Sequence, residues 1–399
     1  MHQVDAAAES RLLHPNTAVF ALGFRPFFLL AGAAAVALAA LWLAAYVFGL
    51  FLSNYYDTLG WHSHEMVFGY GVAVVAGFLL TSVKNWTGLQ TVQGKGLAGL
   101  AALWLGGRVL PFFPDALPHG LIALVDLAFL PALAIALAVP LVRHGQQRNL
   151  VFLPILAVMA LANALVHLQV LGLARATAHA GTYLAVDLLI LLIAIIGGRV
   201  IPFFTERALP GAAPRRWPVI ERVSIVAVVA LALCELLPLP RAAVVAVAAL
   251  GALSHAIRWW GWHERRVWSV PLLWVLYLGY GWVVVGFGLK ALAVAGQMSP
   301  FLALHAFTVG GIGVTTLGMM ARVALGHTGR PLQPAKAVAW AFALINLATL
   351  ARVALPLAAP RWYLTSIALA GGLWIAAFLL FLVVYSPILI QPRVDARPG

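Results

Sequence analysis

The sequence predicts an all-α polytopic membrane protein with about twelve transmembrane helices. Of its 399 residues, 63% are hydrophobic and only 9% are charged, whereas an average soluble protein is about 25% charged. A membrane-spanning helix uses roughly 20 mostly apolar residues, and the chain offers a dozen such runs. Runs such as ALVDLAFLPALAIALAVPLV at 123–142 lack the alternation of polar and apolar positions that a transmembrane β-strand needs. The composition therefore excludes a soluble fold, and the pattern excludes a β-barrel.

Hydropathy, with proline, glycine and charge as breaks, predicts the position of each helix. The predicted helices cover 20–50, 62–83, 96–113, 119–141, 149–173, 179–204, 218–237, 240–258, 267–290, 300–323, 335–356 and 362–386. The loops between them are too short to hold a soluble domain. We therefore expect a cytoplasmic tail over 1–19, a single twelve-helix transmembrane domain over 20–391 and a second cytoplasmic tail over 392–399.

Positive residues predict the orientation of these helices. Most of the 25 Lys and Arg lie in the tails and the even-numbered loops. The odd-numbered loops hold only Arg175, Arg241, Lys290 and Arg361. Cytoplasmic segments carry the excess of Lys and Arg in membrane proteins, so both termini are expected to be cytoplasmic. The net charge of +13 then indicates an inward-facing basic rim and not a nucleic-acid partner.

A faint internal repeat relates three helices that run in the same direction. His64 and His305 are each followed five residues later by glycine, and their offset is 241 residues; Arg199 aligns with Arg322 at an offset of 123. These offsets predict three four-helix units. A competing match, GGRVLPFF at 106–113 with GGRVIPFF at 197–204, joins helices of opposite direction.

Histidines at one predicted depth point to a metal or haem site near the outer face. Ionisable groups inside a membrane are costly and mark functional sites by default, and imidazole suits haem iron and copper. His62 and His64 are about 200° apart on a helix, so they cannot both bind one metal. His64 and His305, at matching heights on separate helices, suit two axial haem ligands, while the alternative of hydrogen-bonded structural histidines stays open. Members of this depth group are His62, His64, His167, His179 and His305.

Other charged residues within helices have two alternative roles each. Glu65, Asp126 and Asp187 are candidates for proton transfer, or for ion pairs with Arg108 or Arg352. Arg199 and Arg322 are candidates for holding haem propionates, or for reaching lipid head groups from the helix ends. The single cysteine, Cys234, excludes a disulfide framework and a C-x-x-C-H haem attachment.

Several long sequence blocks resemble the NnrS family of bacterial inner-membrane proteins. The blocks are LGFRPFFLLAG at 22–32, WHSHEMVFGYGVAVVAGFLLT at 61–81, NWTG at 85–88, ANALVHL at 162–168, GGRVIPFFT at 197–205 and HAFTVGGIGVTTLGMMARVALGHTGRP at 305–331. The resemblance implies haem and copper binding and tolerance of nitrosative stress. It implies as metal candidates, beside Glu65, the histidines His62, His64, His167, His305 and His327. Tyr277 stands where many relatives are expected to have histidine.

The resemblance implies a haem- and copper-containing protein of the bacterial inner membrane that binds or turns over nitric oxide, or relieves iron-nitrosyl damage. The twelve helices are also similar to the catalytic subunit of haem-copper oxidases and nitric oxide reductases, which is an analogy of fold alone. Whether the chain is an oxidoreductase stays open, and turnover would need an electron donor. Besides nitric oxide or iron-nitrosyl species, the expected partner is membrane lipid. The alternatives are a secondary transporter of a small solute and a non-catalytic sensor or assembly partner.

Overall fold

A computed structural model describes residues 18–50, 53–145 and 147–395. Helices make up 81% of the structure, and the described residues contain no strand, so the predicted all-α class is confirmed. The predicted first tail lies mostly outside the described residues, as does the end of the second tail.

The helices follow one another along the chain with short connections. In chain order, and within the described residues, the long helices are α1 Phe24–Tyr46, α2 Thr58–Thr87, α3 Gly94–Val109, α4 His119–His144, α5 Phe152–Val170, α6 Thr177–Ala208, α7 Pro218–Leu236, α8 Arg241–Gly261, α9 Pro271–Val294, α10 Pro300–His327, α11 Lys336–Ala358 and α12 Tyr363–Ile390. Each predicted helix overlaps one of these.

Ten helices in the described part of the chain are long and apolar enough to cross a membrane. This supports a membrane protein. The other two long helices are α3, which is only 16 residues long, and α7, which contains Glu221, Arg222 and Glu235. The total of twelve spans therefore stays a prediction.

The chain divides into two compact units. Among the described residues, the first comprises those up to Thr182, residues 320–335 and those from Phe378 to Asp395; the second comprises Tyr183–Met319 and Lys336–Ala377. The predicted tail and domain boundaries stay predictions.

Two helices in the described ranges contain a π-helical segment, in which hydrogen bonds run from residue i to i+5 and the helix widens. The segments are Glu65–Gly71 in α2 and Ala306–Val314 in α10. Each begins directly after the histidine, His64 or His305, that the sequence alignment pairs. Such segments are rare and occur frequently at functional sites. Their matched positions favour the pairing of α2 with α10, while the threefold repeat as a whole stays a prediction.

Arg25, Arg258 and Lys290, which lie near the ends of predicted helices, have partners inside the structure. Arg25 in α1 is fully buried and donates to the Leu389 carbonyl at 2.9 Å. Arg258 in α8 pairs with Glu221, and Lys290 in α9 pairs with Glu235. Charges inside a membrane-spanning fold persist when they are paired, and each of these three residues has a partner. The orientation of the chain, inferred in part from them, stays a prediction.

Candidate functional site

A buried group of two histidines and one aspartate lies in the first unit. His64 on α2, Asp126 on α4 and His167 on α5 each offer one ligand atom, and these atoms lie within 4.8 Å of one another. His64 Nε2 lies 3.2 Å from Asp126 Oδ2, and His167 Nε2 lies 3.0 Å from the same oxygen. All three side chains are buried. We call His64, Asp126 and His167 the His-Asp-His cluster.

Glu65, the first residue of the π-helical segment of α2, contacts the histidine that precedes it. His64 Nδ1 lies 3.1 Å from Glu65 Oε1. Glu65 therefore orients the His64 imidazole by contacting Nδ1, the ring nitrogen that faces away from Asp126.

Arg108 on α3 connects the two carboxylates. Its Nε lies 2.7 Å from Glu65 Oε2, its Nη2 pairs with Asp126 Oδ1, and its Nη1 donates to the Phe68 carbonyl at 3.1 Å. The ion pair that the sequence analysis considered is therefore made with Arg108, whereas Arg352 lies near the Tyr363 hydroxyl at 3.4 Å. Because guanidinium stays charged and offers several donors in a fixed plane, Arg108 fixes both carboxylates.

Glycine at position 107 makes room for this arrangement. A Cβ atom at Gly107 would lie 2.5 Å from Asp126 Oδ1 and 3.3 Å from the Asp126 Cα. The first GGRV motif thus combines a glycine that admits Asp126 with the arginine that pairs with it. The same motif at 197–200 has a parallel in the second unit, because a Cβ at Gly198 would meet the Arg258 guanidinium.

Two tyrosines from the segment before α2 contact the histidines. The Tyr56 hydroxyl lies 3.1 Å from His64 Nε2 and 3.4 Å from His167 Nε2. The Tyr55 hydroxyl lies 3.2 Å from His167 Nδ1. Burial, with the nearby Asp126 charge, raises the pKa of Tyr56 well above its usual value and that of Tyr55 to about 12. Both phenols therefore keep their protons at neutral pH.

Asn163 completes the cluster from α5. Its Nδ2 donates to Asp126 Oδ2 at 2.7 Å, and its Oδ1 lies 2.9 Å from His64 Nε2. The sequence analysis did not select Asn163, Tyr55 or Tyr56. The sequence feature that could have identified Asn163 is its position four residues before His167, on the same helix face.

Comparison with known proteins identifies the family. A family model described as NnrS protein matches residues 18–393, nearly the whole chain. The chain belongs to the NnrS family. No curated protein matches the chain. NnrS proteins are metal-associated and are linked to the nitric oxide response. The family resemblance drawn from the sequence is thereby confirmed, and the matched range contains the whole His-Asp-His cluster.

Other predicted site residues of this NnrS chain lie outside the cluster. His62 stacks on Trp42, with ring centroids 4.0 Å apart. His327 lies 3.3 Å from Asn85 Nδ2, at the opposite end of α2 from His64 and about 30 Å along that helix. Arg322 is buried in α10. None of these three belongs to the His-Asp-His cluster, and their roles toward a cofactor stay predictions.

The remaining predicted residues lie in the second unit. His305 is partly exposed at the start of the α10 π-segment, and its Nδ1 lies 2.7 Å from the Phe301 carbonyl. Arg199 is partly exposed and Asp187 is buried, both on α6. Tyr277, the departure from the expected NnrS histidine, is buried and donates its hydroxyl to the Trp259 carbonyl at 2.5 Å. The tyrosine therefore has a structural partner in the backbone.

The donor set of the His-Asp-His cluster fits a small metal ion. Two imidazoles and a carboxylate suit copper, iron or zinc. Metal-binding histidines usually bond through their second ring nitrogen to a neighbouring group that orients them. Here the Nε2 atoms of both histidines face Asp126, while the Nδ1 atoms of His64 and His167 contact Glu65 and Tyr55. Polar side chains close around these atoms, which favours an ion over a flat macrocycle.

Proposed function

We propose that this NnrS protein binds a copper ion at the His-Asp-His cluster and binds nitric oxide there, and that it protects the cell against nitrosative stress in this way. The observation that carries the proposal is the convergence of two Nε2 atoms on one carboxylate oxygen, 3.0 and 3.2 Å away, with both Nδ1 atoms held by other groups. Copper bound by such donors supplies reversible binding of small diatomic ligands and one-electron chemistry.

The residues around the cluster have distinct tasks in this proposal. Arg108 and Asn163 position Asp126, because each donates to one of its carboxylate oxygens. Glu65 and Tyr55 orient the two imidazoles. The Tyr56 hydroxyl oxygen lies 3.1 Å from His64 Nε2 and 3.4 Å from His167 Nε2, where the hydroxyl can hydrogen-bond a ligand at the cluster. In this proposal Glu65 is a positioning residue and Asp126 is a metal ligand. Proton transfer by these two residues, which turnover would need, stays a hypothesis.

Haem is assigned to a different histidine in this proposal. His64 Nε2 faces Asp126 and its Nδ1 contacts Glu65, which supports a role with the small ion. His305 Nδ1 faces the Phe301 carbonyl, which favours the tautomer protonated at Nδ1, whose unprotonated Nε2 suits axial ligation. Arg322 lies about 25 Å along α10 from His305, so Arg199 and Arg322 stay candidates for haem propionates from the sequence alone. If His305 is the axial ligand, His305→Ala abolishes the Soret band of the purified protein while its copper content is retained.

The copper assignment predicts a selective loss in two variants. His64→Ala and His167→Ala are each expected to reduce the copper-to-protein ratio of the purified chain at least tenfold, because each removes one of three donors. Metal analysis measures the ratio, and nitric oxide consumption by protein in liposomes with an electron donor tests turnover. The matched control is His144→Ala, an exposed histidine at the end of α4, which is expected to retain copper. Unchanged copper in both cluster variants would refute the site.

A secondary transporter is the second candidate function. Transporters interrupt helices at corresponding positions of two repeats, and the π-segments of α2 and α10 lie in different units at aligned positions. Counterflow of a labelled solute by metal-free protein in liposomes would favour this function. No counterflow, together with nitric oxide binding by the copper-loaded protein, would exclude it.

We also propose the bacterial inner membrane as the location, with both termini cytoplasmic. The family resemblance and the distribution of Lys and Arg support this orientation. Membrane lipid and, for turnover, an electron donor are the proposed partners. Iron-nitrosyl species are the proposed alternative to free nitric oxide as the target. Cysteine labelling would test the orientation. Single cysteines are introduced at exposed positions beside Arg148 and Arg175, and each is labelled from either side of the membrane.

A further inference from the structure

The second unit contains a largely buried charge cluster of its own. Asp187 lies on α6, Glu235 near the end of α7 and Lys290 on α9. Lys290 Nζ pairs with Glu235 Oε1, and both side chains are only 14% exposed. The Lys290 ammonium also lies 5.3 Å from the centre of the Tyr183 ring. The ammonium is therefore held between a carboxylate and an aromatic face.

Asp187 is the member of this cluster without a matched counter-charge. It is only 6% exposed, and its Oδ2 is buried with no hydrogen-bond partner among the described residues. It interacts electrostatically with both Glu235 and Lys290. Among the described residues, those that interact electrostatically with Asp187 are Tyr183 on α6, Cys234 and Glu235 on α7, and Lys290 on α9. Lysine is the only cation among these groups.

The charges do not balance if every group carries its ordinary charge. The Glu235–Lys290 pair is neutral by itself, so an ionised Asp187 would leave one uncompensated negative charge. An unpaired buried charge in a low-dielectric interior costs several kcal/mol, and the group then takes up a proton. Neutralisation of Asp187 by a proton is the least costly way to reach balance.

We propose that Asp187 carries an exchangeable proton and that Asp187, Glu235 and Lys290 form a proton-binding site in the second unit. When Asp187 releases its proton, the carboxylate that forms shares the Lys290 ammonium with Glu235. When it takes up the proton, Lys290 returns to Glu235 alone. The site goes beyond copper and nitric oxide binding, because its residues lie outside the His-Asp-His cluster and bind a proton without either ligand.

Infrared spectroscopy of the purified full-length protein tests the site directly. The wild type is expected to show the carbonyl-stretch band of a protonated carboxylic acid, shifted to lower frequency in D₂O. Asp187→Asn is expected to lose this band. Glu235→Gln is expected to lose it as well, because Asp187 then becomes the only carboxylate beside Lys290 and ionises. Lys290→Met is expected to increase the band, since Glu235 also loses its counter-charge.

The opposite responses of these variants separate a proton site from a merely structural one. Glu206→Gln is the matched control, because Glu206 pairs with Arg216 at the surface, and its band is expected to equal that of the wild type. A band that persists in Asp187→Asn would overturn the proposal. A wild-type protein that lacks the band would also overturn the proposal. If its thermal stability then rises with sodium or potassium, a bound cation and not a proton balances the charge. The wild-type measurement does not depend on any variant folding.

Discussion

Asp126→Asn is expected to remove copper from the chain and to lower its free energy of unfolding by about 3 kcal/mol, the lower end of the cost of breaking a buried ion pair. Asp126 pairs with Arg108 through one oxygen and faces His64 and His167 through the other. The asparagine keeps the shape but loses the charge that Arg108 requires. Glu65 still pairs with Arg108, which limits the loss of stability.

Thermal unfolding in detergent, measured on metal-free protein, separates the loss of stability from the loss of copper. Asp115→Asn is the control, because Asp115 is exposed in the connection just before α4; its effect should stay within about 0.5 kcal/mol. A metal-free Asp126→Asn protein as stable as the wild type would show that the ion pair with Arg108 contributes nothing. Copper retained by this variant would remove Asp126 from the ligand set.

Gly107→Ala is expected to destabilise the first unit by about 1–3 kcal/mol, the usual cost of adding a methyl group to a filled core. The new Cβ would lie 2.5 Å from Asp126 Oδ1 and 3.3 Å from the Asp126 Cα. The carboxylate must then move away from Arg108, or α4 must move away from α3. Because the same carboxylate faces both histidines, copper affinity is expected to fall together with stability.

Gly99→Ala is the matched control on the same helix. A Cβ at Gly99 would meet nothing within 4 Å, so alanine should stabilise α3 by about 0.5–1 kcal/mol through backbone entropy alone. The two substitutions make the same chemical change and differ in what the methyl group meets. Equal unfolding temperatures for the two variants would contradict a close approach of α3 and α4 at Gly107.

Hydropathy predicted the helices because the favourable free energy of transferring apolar residues out of water adds up along one segment. Each predicted helix overlaps an observed one, including α10 with its glycine-rich π-segment. Local rules also excluded the joint binding of one metal by His62 and His64, and the structure places His62 against Trp42 instead. These predictions needed only residues that are neighbours along the chain.

The partners of the buried charges were less predictable. Arg25, Arg258 and Lys290 lie near the ends of predicted helices, and in the structure each is paired with a carbonyl oxygen or a carboxylate from another helix. A charge near the end of an apolar run has two locations of similar cost, the lipid head groups and a paired site in the bundle. Hydropathy does not distinguish them, because a partner from another helix decides between the two.

The composition of this chain, rich in apolar residues and poor in charges, is sufficient to define a helical membrane protein and to mark its few ionisable residues as unusual. Only the tertiary structure decides which of those residues meet. Asp126 and His167 are far apart along the chain, and Tyr56 and Asn163 carry no charge that would mark them. They converge because α2, α4 and α5 pack together around Arg108, and Gly107 lets α3 approach Asp126. Such close packing depends on the shapes of surfaces from several helices at once, which no single segment encodes.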